Sequence, residues 1–417
     1  MSTRSNVDVL VIGAGAAGIG AGLTLSRRRV DFAIVEASHR IGGRGYTEEL
    51  APGEFFDLGC HWLHSASINP LTAVADRLGY TYRKEAFSRR VFTDGAWQPD
   101  TIIDERDAYA DRTYAAMHAH SDAGEDISIY DCMDRDNRWA SMFDHWITLD
   151  TSADPDQVSA FDLVRYNDTN EDWPIREGYG RLICELGAAL PVELNCAVER
   201  IDWRGSRVVV TTAKGVIEAK AVILTVSTGV LGADDIEFLP RLPDWKRDAI
   251  SAVPLGHHNR ICIRFERNLF GEKANEGVTL LKDNDECMAL RIRPFGFQRV
   301  VGGTGGRFAQ WLERAGVEAS VAYVVDCIAE VFGNGIRKHV GGHVVSAWSS
   351  DPWVRGAYAA SLPGQFHQRQ HLAATVAEKI LFAGEATSDG FQATVHGAYL
   401  SGEAKALEAV RTLKLDS

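Results

Sequence analysis

The chain has 417 residues, of which 45% are hydrophobic and 24% are charged. This length predicts two or three domains with sizeable cores, and the composition is typical of a globular protein, which excludes a disordered one. No apolar run approaches the roughly 20 residues that a membrane span needs, so we predict no membrane partner. Residues 1–6 lead directly into an apolar stretch without the pattern of a secretory signal, which predicts a cytoplasmic protein.

The cysteines and histidines predict neither disulfides nor a metal site. The chain has seven cysteines, an odd number, and no two of them have the CxxC spacing. This argues against a disulfide framework or a zinc ribbon, so we expect reduced thiols. Cys60, His61 and His64 are close in the sequence but lack the spacing of metal ligands, so we predict no metal.

The net charge of -13 is concentrated in one segment. Residues 101–172 hold 18 acidic side chains and five arginines, and the remaining 39 acidic and 39 basic side chains of the chain cancel. Such a field attracts cations and repels polyanions, which predicts a cationic partner and no nucleic acid. The alternative is an acidic surface that only maintains solubility.

Hydrophobic patterns predict the following elements in chain order. A β-branched strand at 7–12, a helix at 16–27 with small residues and a strand at 31–35 form a βαβ unit. Residues 104–147 are predicted to be mostly helical. Weaker strands follow at 207–212, 221–226, 260–265, 342–348 and 380–383. The alternation predicts an α/β protein with two domains built from interleaved segments.

A glycine motif lies between the first predicted strand and the first helix. It reads Gly13-Ala14-Gly15-Ala16-Ala17-Gly18. The first glycine allows the tight turn, the second lets the backbone approach a pyrophosphate, and the third lets helix and strand pack closely. Glu36 ends the second strand, where its carboxylate can accept hydrogen bonds from ribose hydroxyls. Together these features predict dinucleotide binding.

Four further motifs separate flavin binding from nicotinamide binding. Residues 36–44 read EASHRIGGR, residues 57–64 DLGCHWLH, residues 381–387 LFAGEAT and residues 393–402 ATVHGAYLSG. In this order they resemble the flavin-containing amine oxidase family, which includes monoamine oxidases, polyamine oxidases and flavin-dependent histone demethylases. The resemblance is strongest near the two ends of the chain.

The resemblance implies a Rossmann-type FAD-binding domain with an interleaved α+β substrate-binding domain. The FAD-binding domain would comprise residues 1–85, 180–250 and 370–417. The substrate-binding domain would comprise residues 86–179, which include the acidic helical segment, and 251–369.

The resemblance also assigns residues to the cofactor. FAD would be bound by Gly13, Gly15, Ala17, Gly18, Glu36, Ala37, Gly43, Arg44, Cys60, His61, Trp62, Val198, Gly384, Glu385, Thr394 and Val395. The Val198 backbone would pair with the adenine, Glu385 would accept a hydrogen bond from a ribityl hydroxyl, and a helix starting near Thr394 would direct its amino end at the flavin. Monoamine oxidases attach the flavin to a cysteine at the position of Ala357, so FAD is predicted to be noncovalent.

Four residues are implied to form the catalytic site. Tyr358 would form a wall of the substrate slot, and His64 would lie at its mouth. Trp348 or Trp353 would line the flavin, and the alternative is that both are buried core tryptophans. The family usually has a flavin-side lysine at the position of Arg260. A guanidinium stays protonated and cannot relay a proton, so the electron acceptor is left open.

The implied reaction is hydride transfer from the carbon beside an amine nitrogen to flavin N5. The resulting imine is hydrolysed to a carbonyl and an amine, with molecular oxygen as the expected acceptor. Thr394 replaces the second slot tyrosine of monoamine oxidases, which favours an aliphatic or polyamine-like cationic substrate. The alternatives are a same-fold dehydrogenase, desaturase or isomerase acting on a nonamine, and a flavin-bound regulatory protein without turnover.

Overall fold

The computed structural model describes residues 5–84, 88–284 and 286–415. The strands are β1 (Asn6–Ile12), β2 (Phe32–Val35), β3 (Thr47–Ala51), β4 (Glu54–Asp57), β5 (Trp62–Leu63), β6 (Ser88–Thr93), β7 (Ala96–Trp97), β8 (Trp173–Pro174), β9 (Val192–Glu193), β10 (Val198–Asp202), β11 (Val208–Thr212), β12 (Gly215–Leu224), β13 (Glu237–Leu239), β14 (His258–Phe265), β15 (Glu276–Leu280), β16 (Met288–Ile292), β17 (Arg299–Gly305), β18 (Val340–Val345) and β19 (Ile380–Phe382). The α-helices are α1 (Ala16–Arg27), α2 (Pro70–Leu78), α3 (Thr101–Asp122), α4 (Ala140–Thr151), α5 (Phe161–Val164), α6 (Tyr179–Gly187), α7 (Thr228–Gly232), α8 (Asp244–Ala252), α9 (Gly306–Ala315), α10 (Val317–Phe332), α11 (Gln368–Ala373) and α12 (Val395–Thr412). The predicted βαβ unit is confirmed, and the segment predicted to be mostly helical contains α3 and α4.

The chain folds into two compact units, each built from separate segments. The first unit comprises Met1–Arg83, Arg165–Leu255 and Asp351–Ser417, and the second comprises Lys84–Val164 and Gly256–Ser350. The interleaving agrees with the sequence prediction, whereas the boundaries differ from it.

Three segments predicted in the substrate-binding domain belong to the first unit instead, namely residues 165–179, 251–255 and 351–369. The physical reason is backbone pairing that the sequence pattern did not indicate. Strand β8 pairs with β5, and Leu255 forms a β-bridge with Ala359. Tyr358 therefore folds with the glycine motif.

The first unit is built around an eight-stranded sheet. Its order is β13-β10-β11-β12-β1-β2-β9, and β19 pairs with the end of β12. The neighbours of β1 are both parallel to it, as expected for strands connected by helices, and β12 also pairs in parallel with β19. The predicted α/β class with a Rossmann-type domain is confirmed by this parallel centre.

Helix α1 packs closely against α12 because glycines lie at the contact. A Cβ atom on Gly20 would lie 2.4 Å from the carbonyl oxygen of Tyr399, and one on Gly402 would lie 1.9 Å from that of Ala17. Both distances are far below van der Waals contact with backbone that a side chain cannot displace. These glycines hold the amino ends of both helices in the same region of the unit.

The second unit contains a seven-stranded sheet with the order β18-β14-β17-β16-β15-β6-β7. One face forms a core with α9 and α10, in which Ile261 and Ile263 pack with Leu312, Val324 and Ile328. Helix α4 crosses part of the opposite face. The predicted strands at 260–265 and 342–348 correspond to β14 and β18.

No helix within the described residues is long and apolar enough to cross a membrane. All seven cysteines are free thiols. In the same part of the chain, no group of three or more His, Cys, Asp or Glu side chains is arranged to hold a metal ion.

Candidate functional site

The glycine motif forms a tight turn between β1 and α1. Gly13 has φ +103°, in the region that favours glycine, and its amide donates to the carbonyl of Val35. A Cβ atom on Gly18 would lie 1.9 Å from the Gly13 carbonyl oxygen, so only glycine fits. No side chain caps the amino end of α1, whose 12 residues begin at Ala16. Its first backbone amides form a suitable site for a phosphate group.

A second glycine turn meets the first one. Gly15 and Gly42 form a parallel bridge, and the Gly42 amide donates to the Ala14 carbonyl at 2.8 Å. Gly43 has φ +56°, and a Cβ atom on it would lie 3.2 Å from the Gly15 Cα. The two turns therefore form one cradle of backbone without side chains. A Cβ atom at Gly43 would crowd this cradle, and its absence leaves room for a pyrophosphate.

Glu36 is buried beside this cradle. One carboxylate oxygen accepts the Ala14 amide at 2.7 Å, and the other accepts the Ser38 amide at 2.8 Å. The Cys196 amide donates to the Glu36 carbonyl, which brings β10 and its first residue Val198 close to the end of β2. The predicted ribose and adenine residues are thus neighbours, together with Ala37, which lies between Glu36 and Ser38.

Arg44 and Glu385 form an ion pair at the predicted ribityl position. Nη1 of Arg44 donates to Oε1 of Glu385 at 2.8 Å and to the carbonyl of Ala357. Glu385 is 5% exposed, and its other oxygen accepts the Ala359 amide at 3.3 Å. A carboxylate has about four acceptor positions, so these contacts leave capacity for a hydroxyl. Arg44 and Glu385 line a cleft together with Gly384.

Cys60, His61 and Trp62 follow a buried carboxylate that the sequence interpretation missed. Asp57 accepts the amides of Tyr179 and Gly180 at 3.0 and 3.2 Å, which fastens the start of α6. Nδ1 of His61 lies 3.2 Å from Asp57. The Cys60 amide donates to the Arg44 carbonyl. This motif therefore holds the Arg44 loop in place. The sequence signal that could have revealed the role of Asp57 is an acidic residue within an otherwise apolar run.

Thr394 caps the carboxy-terminal helix. Its hydroxyl accepts the Gly397 amide at 3.1 Å and donates to the Phe391 carbonyl, and α12 begins at Val395. The predicted helix start is confirmed. A Cβ atom on Gly397 would lie 1.9 Å from the Phe391 carbonyl oxygen, so the chain entering the helix is held close to its first turn.

His64 has an acidic partner that the sequence interpretation also missed. Its Nδ1 lies 2.6 Å from Oδ1 of Asp172, and both side chains are partly exposed. Burial would raise the pKa of the Asp172 carboxyl, but the hydrogen bond and charge of His64 outweigh it, and the net effect is a lowered pKa. Burial, with the nearby charge of His64, lowers the pKa of His396 to about 3, so the His396 ring is neutral at neutral pH.

The four predicted catalytic residues divide between the units. His64 and half-buried Tyr358 belong to the first unit. Arg260 and Trp348 belong to the second, where Arg260 lies on β14 with its amide donating to Ser346 Oγ at 2.8 Å, and Trp348 is buried after β18.

Comparisons with known proteins agree with this architecture. A model of the flavin containing amine oxidoreductase family matches residues 130–409, and one of the NAD(P)-binding Rossmann-like domain matches residues 11–78. Polyamine oxidase 2 of Arabidopsis thaliana is 28% identical, over 96% of this chain and 87% of that protein. Lysine-specific histone demethylase 1 homolog 1 of Oryza sativa subsp. japonica is 26% identical, over 98% of this chain and 52% of that protein.

Solved structures share the fold. Putrescine oxidase bound to putrescine superposes with a TM-score of 0.81 at 19% sequence identity, over 98% of this chain and 100% of that chain. The family model alone matches more than half of the chain. The chain therefore belongs to the flavin-containing amine oxidoreductase family and uses FAD to oxidise an amine.

Proposed function

We propose that the protein oxidises an aliphatic primary or secondary amine, holds FAD noncovalently and passes the electrons to molecular oxygen. The imine product is hydrolysed to a carbonyl compound, with release of ammonia from a primary amine or of a smaller amine from a secondary one. The observation that carries the proposal is the cradle in which the turns at Gly15 and Gly43 meet, closed by the Arg44–Glu385 pair. The buried Ala357, at the position of the attachment cysteine in monoamine oxidases, supports noncovalent binding.

The residues of the first unit have distinct roles in this proposal. When bound, FAD supplies the two-electron acceptor for the hydride. The amides at the start of α1 bind the pyrophosphate, and Glu36 holds a ribose. Arg44 contributes positive charge beside the phosphates, and Glu385 fixes the orientation of Arg44 while accepting from a hydroxyl. The amino end of α12, capped by Thr394, stabilises negative charge near it.

The amine would meet Tyr358 as an apolar wall and the His64–Asp172 pair at the entrance. The hydrogen bond to Asp172 fixes the His64 ring and adds a carboxylate that attracts an ammonium group. The similarity to a polyamine oxidase and a putrescine oxidase favours an aliphatic carbon chain. The acidic residues 101–172 favour a cationic nitrogen. The cytoplasmic location remains a prediction.

Anaerobic bleaching of the flavin tests the proposed reaction. The purified protein should be yellow, and mixing it with aliphatic amines without oxygen should remove the colour in a single exponential phase at saturating amine. The panel contains primary, secondary and branched amines, with the corresponding alcohols as matched nonamine controls. Bleaching by an alcohol or another nonamine, with no response to any amine, would favour the dehydrogenase alternative.

Arg260→Lys tests the oxygen half of the proposal. If Arg260 occupies the usual lysine position, a lysine can lose its proton in a buried site, whereas arginine cannot. We expect the yellow absorbance to return in air about a hundredfold faster, the lower end of what a positioned acid–base group contributes. Anaerobic bleaching should change little.

The control for this measurement is Arg264→Lys, which makes the same replacement four residues along β14. It should leave both rates unchanged. If Arg260→Lys also leaves both rates unchanged, Arg260 does not lie at the lysine position.

A further inference from the structure

Helix α11 of the first unit carries two histidines one turn apart. Residues 367–371 read HQRQH, and both His367 and His371 are exposed. His367 immediately precedes α11 and has helical φ and ψ values of -58° and -22°, so the helical geometry includes both histidines. Residues four apart in a helix lie on the same face, and two histidines with this spacing bind zinc in the HExxH motif. The spacing therefore presents two imidazoles to the same point outside the helix.

The separation of the two rings is compatible with one shared metal ion. Zn–N bonds of about 2.0–2.1 Å place each ring centre roughly 3.2 Å from the metal, so ring centres up to about 6.4 Å apart can share one ion. The ring centres of His367 and His371 are 6.1 Å apart, which is within this limit. Exposed side chains rotate in picoseconds to nanoseconds, and a small rotation brings the rings to a tetrahedral angle.

Gln368 orients the rings of both histidines. Its side-chain oxygen lies 3.0 Å from Nδ1 of His371, and its side-chain nitrogen lies 3.2 Å from Nε2 of His367. An Nδ1–H group that donates to this oxygen leaves the lone pair of His371 on Nε2, which is how metal-binding histidines are usually held. Nε2 of His367 accepts from the Gln368 NH2 group, and a metal ion would replace that donor. Each ring thus has one nitrogen suited to a metal.

The backbone beneath the two histidines is firmly anchored. The guanidinium group of Arg369 donates to the carbonyls of Ala386 and Ala359, each at 3.0 Å. The buried ammonium group of Lys246 donates to three carbonyls at the carboxyl end of α11, at 2.6 to 2.8 Å. Arg369 is two residues from either histidine, about 200° around the helix, so its charge lies on the opposite face. A metal ion on the outer face would meet two ligands on a fixed support.

The same helix forms part of the wall of the cleft beside the Arg44–Glu385 pair. Leu372, the residue after His371, lines this cleft together with Arg44 and Glu385. Helix α11 has only six residues, and short helices are marginally stable by themselves. An ion that joins its first and last turns opposes its unfolding, because a ligand bound only to the folded form stabilises that form.

We propose that His367 and His371 bind one divalent transition-metal ion, and that the bound ion stabilises α11 and thereby the retention of FAD. Imidazole nitrogens suit Zn²⁺, Ni²⁺ and Cu²⁺, whereas Mg²⁺ and Ca²⁺ prefer oxygen ligands. Structural zinc sites have four protein ligands, so water completes the coordination here. About half the binding free energy of a four-ligand site corresponds to a Kd of roughly 1 to 200 µM. Cu²⁺ should bind more tightly than Ni²⁺ or Zn²⁺.

Calorimetric titration of the holoenzyme with Ni²⁺ tests the site. The wild type should bind one Ni²⁺ in this range of Kd. His367→Gln and His371→Gln each retain one imidazole and should bind Ni²⁺ at least about tenfold more weakly at this site. Titration with Mg²⁺ should show no binding that either substitution removes. Equal Ni²⁺ binding by the wild type and both variants would overturn the proposal.

Flavin fluorescence on heating reports the release of FAD and does not depend on turnover. With Ni²⁺ at about ten times its Kd, the release temperature of the wild type should rise by about 1 to 3 °C. The release temperature of His371→Gln should not rise. Ni²⁺ binding without any rise in the wild type would contradict the stabilising role of the ion.

His343→Gln is the matched control, since His343 is an exposed histidine on β18 of the second unit. This variant should bind Ni²⁺ as the wild type does and show the same rise in release temperature. A loss of binding in His343→Gln equal to that in His371→Gln would show that any exposed histidine contributes, and would overturn the assignment of the site to α11.

Discussion

Gly18→Ala is expected to abolish FAD retention, so that the purified protein is colourless. FAD binding should be at least about a hundredfold weaker, because the added methyl group overpacks the turn and forces its backbone to move. The new Cβ atom would lie 1.9 Å from the Gly13 carbonyl oxygen and 2.9 Å from its carbonyl carbon. Both are backbone atoms of the turn itself, so the turn must open. The measurement is the ratio of FAD to protein after purification, together with the thermal unfolding midpoint.

The control for this variant is Gly205→Ala in the same unit. Its Cβ atom would have no neighbour closer than 3.5 Å, which is ordinary van der Waals contact. The control should retain FAD at the wild-type ratio. A Gly18→Ala protein that is as yellow as the wild type would show that the turn between β1 and α1 does not hold the cofactor.

Glu36→Ala is expected to weaken FAD binding by about 1.5 to 3 kcal/mol, which is the range for hydrogen bonds to a charged group. This free energy corresponds to a roughly tenfold to hundredfold increase in Kd. The carboxylate accepts the amides of Ala14 and Ser38, so the variant also leaves two backbone donors without their acceptor. The proposed ribose contact is lost at the same time. Titration of apoprotein with FAD measures the change.

Two further variants separate these contributions. Glu36→Gln keeps one carbonyl acceptor but presents an amide NH2 group where the second acceptor was, so we expect an intermediate loss. Glu49→Ala removes an exposed glutamate that also accepts a backbone amide, from Gly53 at 2.9 Å, and should leave FAD binding unchanged. Equal Kd values for wild type and Glu36→Ala would remove Glu36 from the cofactor site.

The sequence by itself determined the features that depend on local backbone chemistry. The turn at Gly13–Gly18, helix α1 and strand β2 follow one another within 30 residues, so their glycine requirement and hydrophobic pattern are sufficient to identify them. The cap at Thr394 is equally local, since its hydroxyl bonds to an amide three residues away. The motifs at both ends of the chain also identified the family.

Only the tertiary structure decided which distant segments fold together. Residues 351–369 join the first unit through bridges such as Leu255 to Ala359, and the hydrogen bond of His64 to Asp172 spans 108 positions. The register of β14 against β17 decides which of their residues lie opposite one another, and a slip of one residue would move a strand's side chains to the opposite face of the sheet. Such pairings are set by the mutual fit of elements far apart in the chain, whereas each strand's own pattern specifies only its two faces.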